Sequence, residues 1–167
     1  IEVVNYNGGY ESNMTANARI INLGGPTIWE ESITFDCSED STTKCIYLEF
    51  PETLDDVHFI KLNLTDVNET VISDNFYIRG KEYGNHQDLK KLGKAWVKTS
   101  FEYEKSSDAS SIHGSEWRGT VRLENRSKVP AVMLRLNVVG RQDGDQILPM
   151  FYEDNYFSLM PGEKKTV

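Results

Sequence analysis

The sequence predicts an all-β protein made of two small antiparallel sandwiches. Apolar and polar residues alternate with a period of two in several segments, as half-buried antiparallel strands require. Turn sequences such as Gly24-Gly25-Pro26 and Asp143-Gly144 separate these segments, and helical periodicity is almost absent. Short strands divided by turns of this kind are typical of β-sandwiches.

The alternating segments locate the strands in chain order. Residues 1–4 have the composition of the start of a strand. The clearest alternation of apolar and polar side chains occurs in four segments, 46–50, 60–64, 117–124 and 132–138. Weaker strand candidates lie at 15–23, 28–36, 71–78, 95–103 and 150–159.

A polar segment divides the sequence into two parts of similar length. Residues 80–91 carry only Tyr83 and Leu89 as bulky apolar side chains, and the pattern there allows a helical turn or two. We therefore predict one sandwich over residues 1–79, a linker with a short helical turn over 80–91, and a second sandwich over 92–167. Domains of this size bury only about 60% of their extended-chain surface, so we expect the two to pack against each other or against the rest of a longer protein.

Both ends of the chain lie inside predicted regular structure. The first residues already read as a strand, and another strand opens just after the turn sequence Pro161-Gly162. Chains cut in this way are usually pieces of longer proteins. We therefore expect a fragment whose second sandwich is truncated at its C-terminus.

Charge and hydropathy exclude two classes of partner. Eighteen Lys and Arg residues against 26 Asp and Glu residues give a net charge of −8, which argues against binding to the phosphate backbone of nucleic acids. No apolar run approaches the length of about 18 residues that a membrane-spanning helix needs. We expect no nucleic-acid partner and no membrane span.

Motifs for catalysis or metal binding are absent from the sequence. His58, His86 and His113 stand at no metal-ligand spacing, and no nucleophile elbow or phosphate-binding loop occurs. Carboxylates are abundant, but a glycosidase pair must face each other across a cleft, which small convex sandwiches rarely provide. We predict no catalytic residue, no metal ligand and no cofactor.

The two cysteines, Cys37 and Cys45, flank a polar stretch of seven residues. Their spacing matches no zinc or thioredoxin-like motif. An oxidising compartment would permit a disulfide that closes the loop, and two unpaired thiols are the alternative. The sequence leaves both open.

Aromatic side chains offer a route to direct function, because exposed rings can stack on sugars. The candidates are Trp29, Trp96, Trp117, Tyr10, Tyr83 and Tyr103. Trp96 and Trp117 head alternating strands, which favours burial in a core. A carbohydrate-binding module is therefore the alternative function, and it requires at least two of these rings on one exposed face.

Residues 147–163 carry the sequence's most specific segment, ILPMFYEDNYFSLMPGE. This segment closely resembles a signature near the C-terminus of family 2 glycoside hydrolases of the exo-β-D-glucosaminidase, β-mannosidase and mannosylglycoprotein endo-β-mannosidase type. In those enzymes the signature lies in the last immunoglobulin-like domain. Four upstream segments resemble the preceding immunoglobulin-like domain of the same enzymes, namely 1–5, 48–51, 59–64 and 71–77.

The resemblance implies two tandem immunoglobulin-like sandwiches that belong to a retaining glycosidase acting on β-mannosides or β-glucosaminides. The catalytic glutamates of such enzymes lie in a (β/α)₈ barrel, and none can be assigned to this sequence. What it implies for this chain is a non-catalytic role in bracing the parent enzyme. The expected partners are the barrel and the other domains, with carbohydrate as a further candidate, in a periplasmic or secreted protein.

Eight residues of the signature are the candidate structural or docking residues: Pro149, Tyr152, Asp154, Asn155, Tyr156, Phe157, Pro161 and Gly162. Pro161-Gly162 predicts a chain reversal between two strands. Asp154 and Asn155 are short polar residues that can bond neighbouring backbone at the entrance to a strand, which favours a structural role. The aromatic residues could complete a core or form an interface.

Overall fold

Two compact units make up the chain, Ile1–Leu92 and Gly93–Val167. The computed structural model describes residues 1–6, 8–105 and 117–167, so His113 lies outside the described residues. In that part of the chain the regular structure consists of β-strands and one short 3₁₀ helix. The segment 80–91, which the sequence predicts to be a linker, falls within the first unit.

The first unit contains a four-stranded and a two-stranded antiparallel sheet. Its strands are β1 (Glu2–Asn5), β2 (Glu11–Asn22), β3 (Thr27–Cys37), β4 (Ser41–Lys44), β5 (Val57–Thr65) and β6 (Val71–Gly80). The larger sheet has the order β3-β2-β5-β6, and β1 pairs with β4. The core contains Ala16 and Ala18 of β2 and Ile46 of the segment after β4, so it joins the two layers of a sandwich.

The opposite face of the larger sheet is also covered at one end. Phe59 of β5 is fully buried, and its ring stacks on that of Phe76 with the centroids 5.4 Å apart. The 3₁₀ helix, Gln87–Lys91, lies against β5. The N–H of Lys81 donates to the carbonyl of Asp56 at 2.7 Å, which ties the start of the 80–91 segment to the loop before β5.

The second unit repeats the two-layer plan with shorter strands. They are β7 (Val97–Lys105), β8 (Trp117–Asn125), β9 (Ala131–Leu134), β10 (Phe157–Leu159) and β11 (Lys164–Thr166). One sheet has the order β11-β8-β7, and the other is the pair β9 and β10. Leu123, Ala131 and Leu159 form the buried core, with one residue from each of three strands.

The strand predicted at 46–50 is wrong, although its alternation correctly marks Ile46 as a core residue. The ladder between β1 and β4 ends at the pair Glu2 and Lys44, and two further bonds follow it: the N–H of Cys45 donates to the carbonyl of Ile1, and the ammonium group of Ile1 donates to the carbonyl of Ile46. Beyond that point the segment 46–50 joins no ladder in the described part of the chain. Alternation reports which side chains are buried, whereas a strand also needs a hydrogen-bonding neighbour.

Cys37 and Cys45 are free thiols, so the disulfide alternative is not the one that the structure adopts. Cys37 is buried at the end of β3, and its Sγ faces the hydroxyls of Ser41 and Thr43 at 3.8 and 3.5 Å. The thiol of Cys45 donates to the carbonyl of Thr43 at 3.4 Å. Each sulfur thus has a polar neighbour on β4 in place of the other sulfur. Burial raises the pKa of the Cys45 thiol.

His58 on β5 is a buried titratable side chain of the first unit. Its Nδ1 lies 3.3 Å from the carbonyl oxygen of Asp55, and its ring meets that of Phe50 edge-on. Burial lowers the pKa of His58 below its usual value, and the positive charges of Arg79 and Lys81 lower it further. The folded unit therefore disfavours the charged form of this ring relative to the unfolded chain.

Acidification is expected to destabilise the first unit through His58. Below about pH 6.5 the unfolded chain binds a proton at this ring more readily than the folded chain does, so the free energy of unfolding decreases as the pH decreases. Urea unfolding at about pH 7.5 and about pH 5.5 measures the loss. The variant His58→Gln should be less sensitive to pH over this range, whereas His86→Gln, at an exposed position, should behave as the parent. An unchanged slope in His58→Gln would contradict this assignment.

Candidate functional site

The signature segment reverses direction at Pro161-Gly162. The N–H of Glu163 donates to the carbonyl of Met160 at 3.0 Å, and Gly162 has a φ of 81°. Proline at the second turn position and glycine in the left-handed region at the third are the features of a type II turn. The Glu163 carboxylate also accepts the N–H of Met160 at 3.0 Å, so the turn that leads from β10 to β11 is bonded twice.

The side chain of Asn155 makes the backbone hydrogen bonds that a neighbouring strand would otherwise make. Its Oδ1 accepts the N–H of Leu136 at 2.7 Å, and its Nδ2 donates to the carbonyl of Leu136 at 3.1 Å. Two residues further along, the Tyr152 hydroxyl accepts the N–H of Val138 at 3.2 Å. The prediction of a strand over 132–138 is therefore only partly correct. β9 ends at Leu134, because side chains of the signature segment satisfy the backbone beyond it.

Asp154 and Phe157 connect the signature segment to the last strand. The Asp154 carboxylate forms an ion pair with Lys165 of β11. The same ammonium group lies 5.0 Å from the centroid of the Phe157 ring, which is a cation–π contact. Lys165 is therefore held by two residues of the signature at once. In these contacts Asp154, Asn155, Tyr152 and Phe157 act within the second unit.

A buried amide outside the predicted site residues organises this region. Asn125, at the end of β8, is fully buried, and its Nδ2 donates to the carbonyls of Val129 and Leu159, both at 2.9 Å. Its Oδ1 accepts the N–H of Ser127 at 3.1 Å, and its backbone carbonyl accepts the N–H of Gly162 at 2.8 Å. The sequence contained a signal for this burial. Asn125 follows Leu123 by two residues, so it occupies the next core-facing position of β8.

Several apolar side chains of the signature segment remain exposed. Leu148, Phe151 and Tyr156 are accessible, and the Phe151 side chain is 91% exposed. Tyr156 and Met133 have φ values of 60° and 55°, in the left-handed region that side-chain-bearing residues rarely adopt. Both of these large side chains are more than half exposed. Two positions with unfavourable backbone conformations therefore carry exposed apolar side chains.

A second exposed group lies on the sheet of β7 and β8, and we call it the aromatic platform: Phe101, Tyr103 and Trp117. The rings of Phe101 and Tyr103 stack with centroids 5.6 Å apart, and Tyr103 and Trp117 are 5.8 Å apart at a tilt of 60°. Their exposed fractions are 50%, 68% and 62%. The Phe101 ring can lie over Gly119 only because this residue has no side chain, since a Cβ there would be 2.6 Å from Cε2 of Phe101.

The prediction that Trp96 and Trp117 are buried is wrong. Both indole side chains are more than half exposed. Trp117 shares a face of β8 with buried Leu123, but the core residues Ala131 and Leu159 cover this face at Leu123, at the other end of the strand. The Arg126 guanidinium lies 6.0 Å from the Trp96 ring centroid.

Of the other aromatic candidates, Trp29 is partly buried and packs against the core of the first unit. Tyr10 and Tyr83 are exposed.

The described part of the chain contains neither a cluster of metal ligands nor a membrane-spanning helix. Within residues 1–6, 8–105 and 117–167, no three His, Cys, Asp or Glu side chains come close enough together to hold a metal ion. Over those same ranges, the structure contains no helix of the length and apolarity that crossing a bilayer requires.

The fold defines an all-β chain of two tandem immunoglobulin-like antiparallel sandwiches, which confirms the predicted fold class. The chain belongs to the family described as the exo-β-D-glucosaminidase Ig-fold domain, which matches residues 75–167, more than half of its length. This confirms the resemblance that the signature segment carries.

The similar proteins are much longer than this chain. The exo-β-D-glucosaminidases of Arthroderma benhamiae and Hypocrea jecorina are 25% and 27% identical to it, over 98% of this chain and 20% of their own length. The crystal structure of the exo-chitosanase CsxA of Amycolatopsis orientalis superimposes with a TM-score of 0.85 at 22% identity, over 99% of this chain and 21% of that one. The chain thus spans about a fifth of the relatives that it matches.

Proposed function

We propose that these residues are the non-catalytic accessory domains of a larger family 2 glycoside hydrolase, in which they brace the catalytic barrel. Membership of the exo-β-D-glucosaminidase Ig-fold family supports this role, as does the small share of each relative that the chain covers. The relatives' names favour a parent that hydrolyses β-glucosaminides over one that hydrolyses β-mannosides. Such a parent would be a retaining enzyme of the periplasm or of the secreted fraction.

One observation carries the docking part of the proposal, namely how the signature segment divides its side chains. Its polar groups bond inside the second unit, as the pair of bonds between Asn155 and Leu136 illustrates. Its apolar groups Leu148 and Phe151 point to solvent. Complete burial of one such side chain stabilises a complex by about 1.5–3 kcal/mol, so a few of them suffice to hold a neighbouring domain.

The substitution Phe151→Asp tests docking when it is made in two contexts. In the 167-residue chain it should leave the melting temperature nearly unchanged, because the Phe151 side chain is 91% exposed. In the longer enzyme that contains these residues it should lower the melting temperature by several degrees, since a carboxylate would be buried at the interface. Thermal unfolding in both contexts measures the difference.

Two controls separate docking from other effects of the charge. Tyr47→Asp places the same carboxylate at an exposed aromatic position of the first unit and should be neutral in both contexts. The 167-residue chain alone should release no nitrophenol from aryl β-glucosaminides or β-mannosides. Equal melting temperatures for Phe151→Asp and the parent in the longer enzyme would exclude this docking surface, and turnover by the pure chain would exclude a non-catalytic role.

A further inference from the structure

Three sequences in the first unit match the acceptor motif for N-linked glycans, an asparagine followed two positions later by serine or threonine. They begin at Asn13, Asn63 and Asn68. Such a motif becomes a modification site only where the fold presents the asparagine on the surface, because the attached glycan is bulky and hydrophilic. The structure separates the three positions by this criterion.

Asn68 lies in the loop of the hairpin that joins β5 to β6. The N–H of Glu69 donates to the carbonyl of Asp66 at 3.0 Å, and the N–H of Asp66 donates to the carbonyl of Thr70 at 3.0 Å. One oxygen of the Asp66 carboxylate accepts the N–H groups of Thr70 and Asn68 at 2.8 and 2.9 Å, and these bonds hold the pKa of Asp66 below its usual value. The loop is thus a defined turn, in which Asn68 and Thr70 are both exposed.

The other two acceptors belong to strands of the four-stranded sheet. Asn63 lies in β5, opposite Asn17 of β2 on one side and Asp74 of β6 on the other, and it is half-buried. A glycan there would lie across the neighbouring strands. Asn13 is exposed, but it lies in β2 and its N–H is bonded to the Asp36 carboxylate at 2.9 Å. Of the three acceptors, Asn68 alone combines exposure with a position in a loop.

We propose that Asn68 is the residue of the first unit that accepts an N-linked glycan when the chain passes through a eukaryotic secretory pathway. The donor is a lipid-linked oligosaccharide pyrophosphate. The transfer forms a bond between Nδ2 of Asn68 and C1 of the first sugar and breaks the bond between that carbon and the pyrophosphate oxygen. The lipid pyrophosphate and one proton of the amide are released. The hydroxyl of Thr70 completes the motif that the transferring enzyme recognises.

The hairpin loop favours this reaction over the strands for an energetic reason. A transferring enzyme must bind the acceptor segment away from the rest of the fold. An exposed loop opens locally at low cost in free energy, whereas release of β5 would break the ladders to both β2 and β6. A glycan on Asn68 would also keep this end of the first unit in solvent, so the docking of other domains would use other surfaces.

Secretion of the full 167-residue chain from a eukaryotic host tests the inference. An amidase that removes N-linked glycans converts each occupied asparagine to aspartate, and mass spectrometry of the peptide fragments then locates it. Asn68 should be occupied in most molecules and Asn63 in few. Asn68→Gln and Thr70→Ala should each abolish the glycan at this loop, whereas Thr70→Ser, which keeps the hydroxyl, should retain it. The matched control is Asn75→Gln, which changes an exposed asparagine of β6 outside any acceptor motif and should leave the occupancy of Asn68 unchanged.

The secreted protein and the protein retained in the cells are both mapped, so poor secretion does not conceal the result. Thermal unfolding identifies a variant that fails to fold, and Asn68→Gln and Thr70→Ala replace each other in that case. Loss of the glycan in these variants, with full occupancy in Asn75→Gln, supports the site. An unmodified Asn68 in both fractions, higher occupancy at Asn63 than at Asn68, or unchanged occupancy in Thr70→Ala would each overturn it. The result is independent of the accessory role, which is measured in the longer enzyme.

Discussion

Asn125→Ala is expected to lower the free energy of unfolding of the second unit by about 3 kcal/mol. The change removes the donor of two 2.9 Å bonds, to the carbonyls of Val129 and Leu159, in a fully buried position. A buried polar group left without a partner costs about 1–3 kcal/mol, and the lost side-chain volume adds to that cost. Because a unit of this size has only a few kcal/mol of stability in all, much of it should unfold.

Urea unfolding followed by circular dichroism measures this effect. The matched control is Asn137→Ala, which changes an exposed asparagine of the same unit and should shift the midpoint little. Asn125→Asp should also destabilise, because the carboxylate keeps the acceptor but loses the donor to Leu159. A parent-like midpoint for Asn125→Ala would mean that the amide contributes nothing to the fold.

Asn155→Ala is expected to cost about 2 kcal/mol and to release the irregular segment between β9 and β10. The amide provides both bonds that the backbone of Leu136 would otherwise make to a neighbouring strand. Without it that backbone has lost its partner, and the exposed apolar residues around Leu148 lose their support. Local opening should then precede unfolding of the whole unit.

Limited proteolysis and hydrogen exchange test this expectation. In Asn155→Ala, cleavage and exchange should rise within residues 135–156 before they rise in β8. Asn155→Asp keeps the acceptor for the N–H of Leu136 and should be intermediate, which a purely steric role would not produce. If protection in that segment were the same in Asn155→Ala and the parent, Asn155 would not be what holds it.

The period-two pattern predicted most of the fold, because it records which side chains face the core. It located β5 and β8 where alternation was clearest. It overextended β9, because Asn155 and Tyr152, some 19 and 14 residues away, supply the hydrogen bonds of a strand there. Side chains that are distant in sequence can make these bonds only because the fold brings them next to β9. The local alternation of apolar and polar residues contains no information about such contacts.

The surfaces were harder to predict than the core. The apolar face of β8 continues from Leu123 to Trp117. Whether a side chain on this face is buried depends on how far the second layer of the sandwich extends over it. The sequence of β8 alone does not determine that extent. Tyr103 and Trp117 were both singled out from composition, yet their approach to 5.8 Å follows from the pairing register of β7 and β8. Residue type therefore suggested the platform, and only the fold could assemble it.

The burial of Asn125 has a consequence for how the protein can be produced. Asn125-Arg126-Ser127 spells the acceptor motif for N-linked glycans. In the folded chain this nitrogen is bonded to two carbonyls and closed to solvent, so a glycosyltransferase cannot reach it. An oligosaccharide attached during synthesis would have no room at this buried position and would prevent the second unit from folding. A bacterial host without this modification avoids that loss.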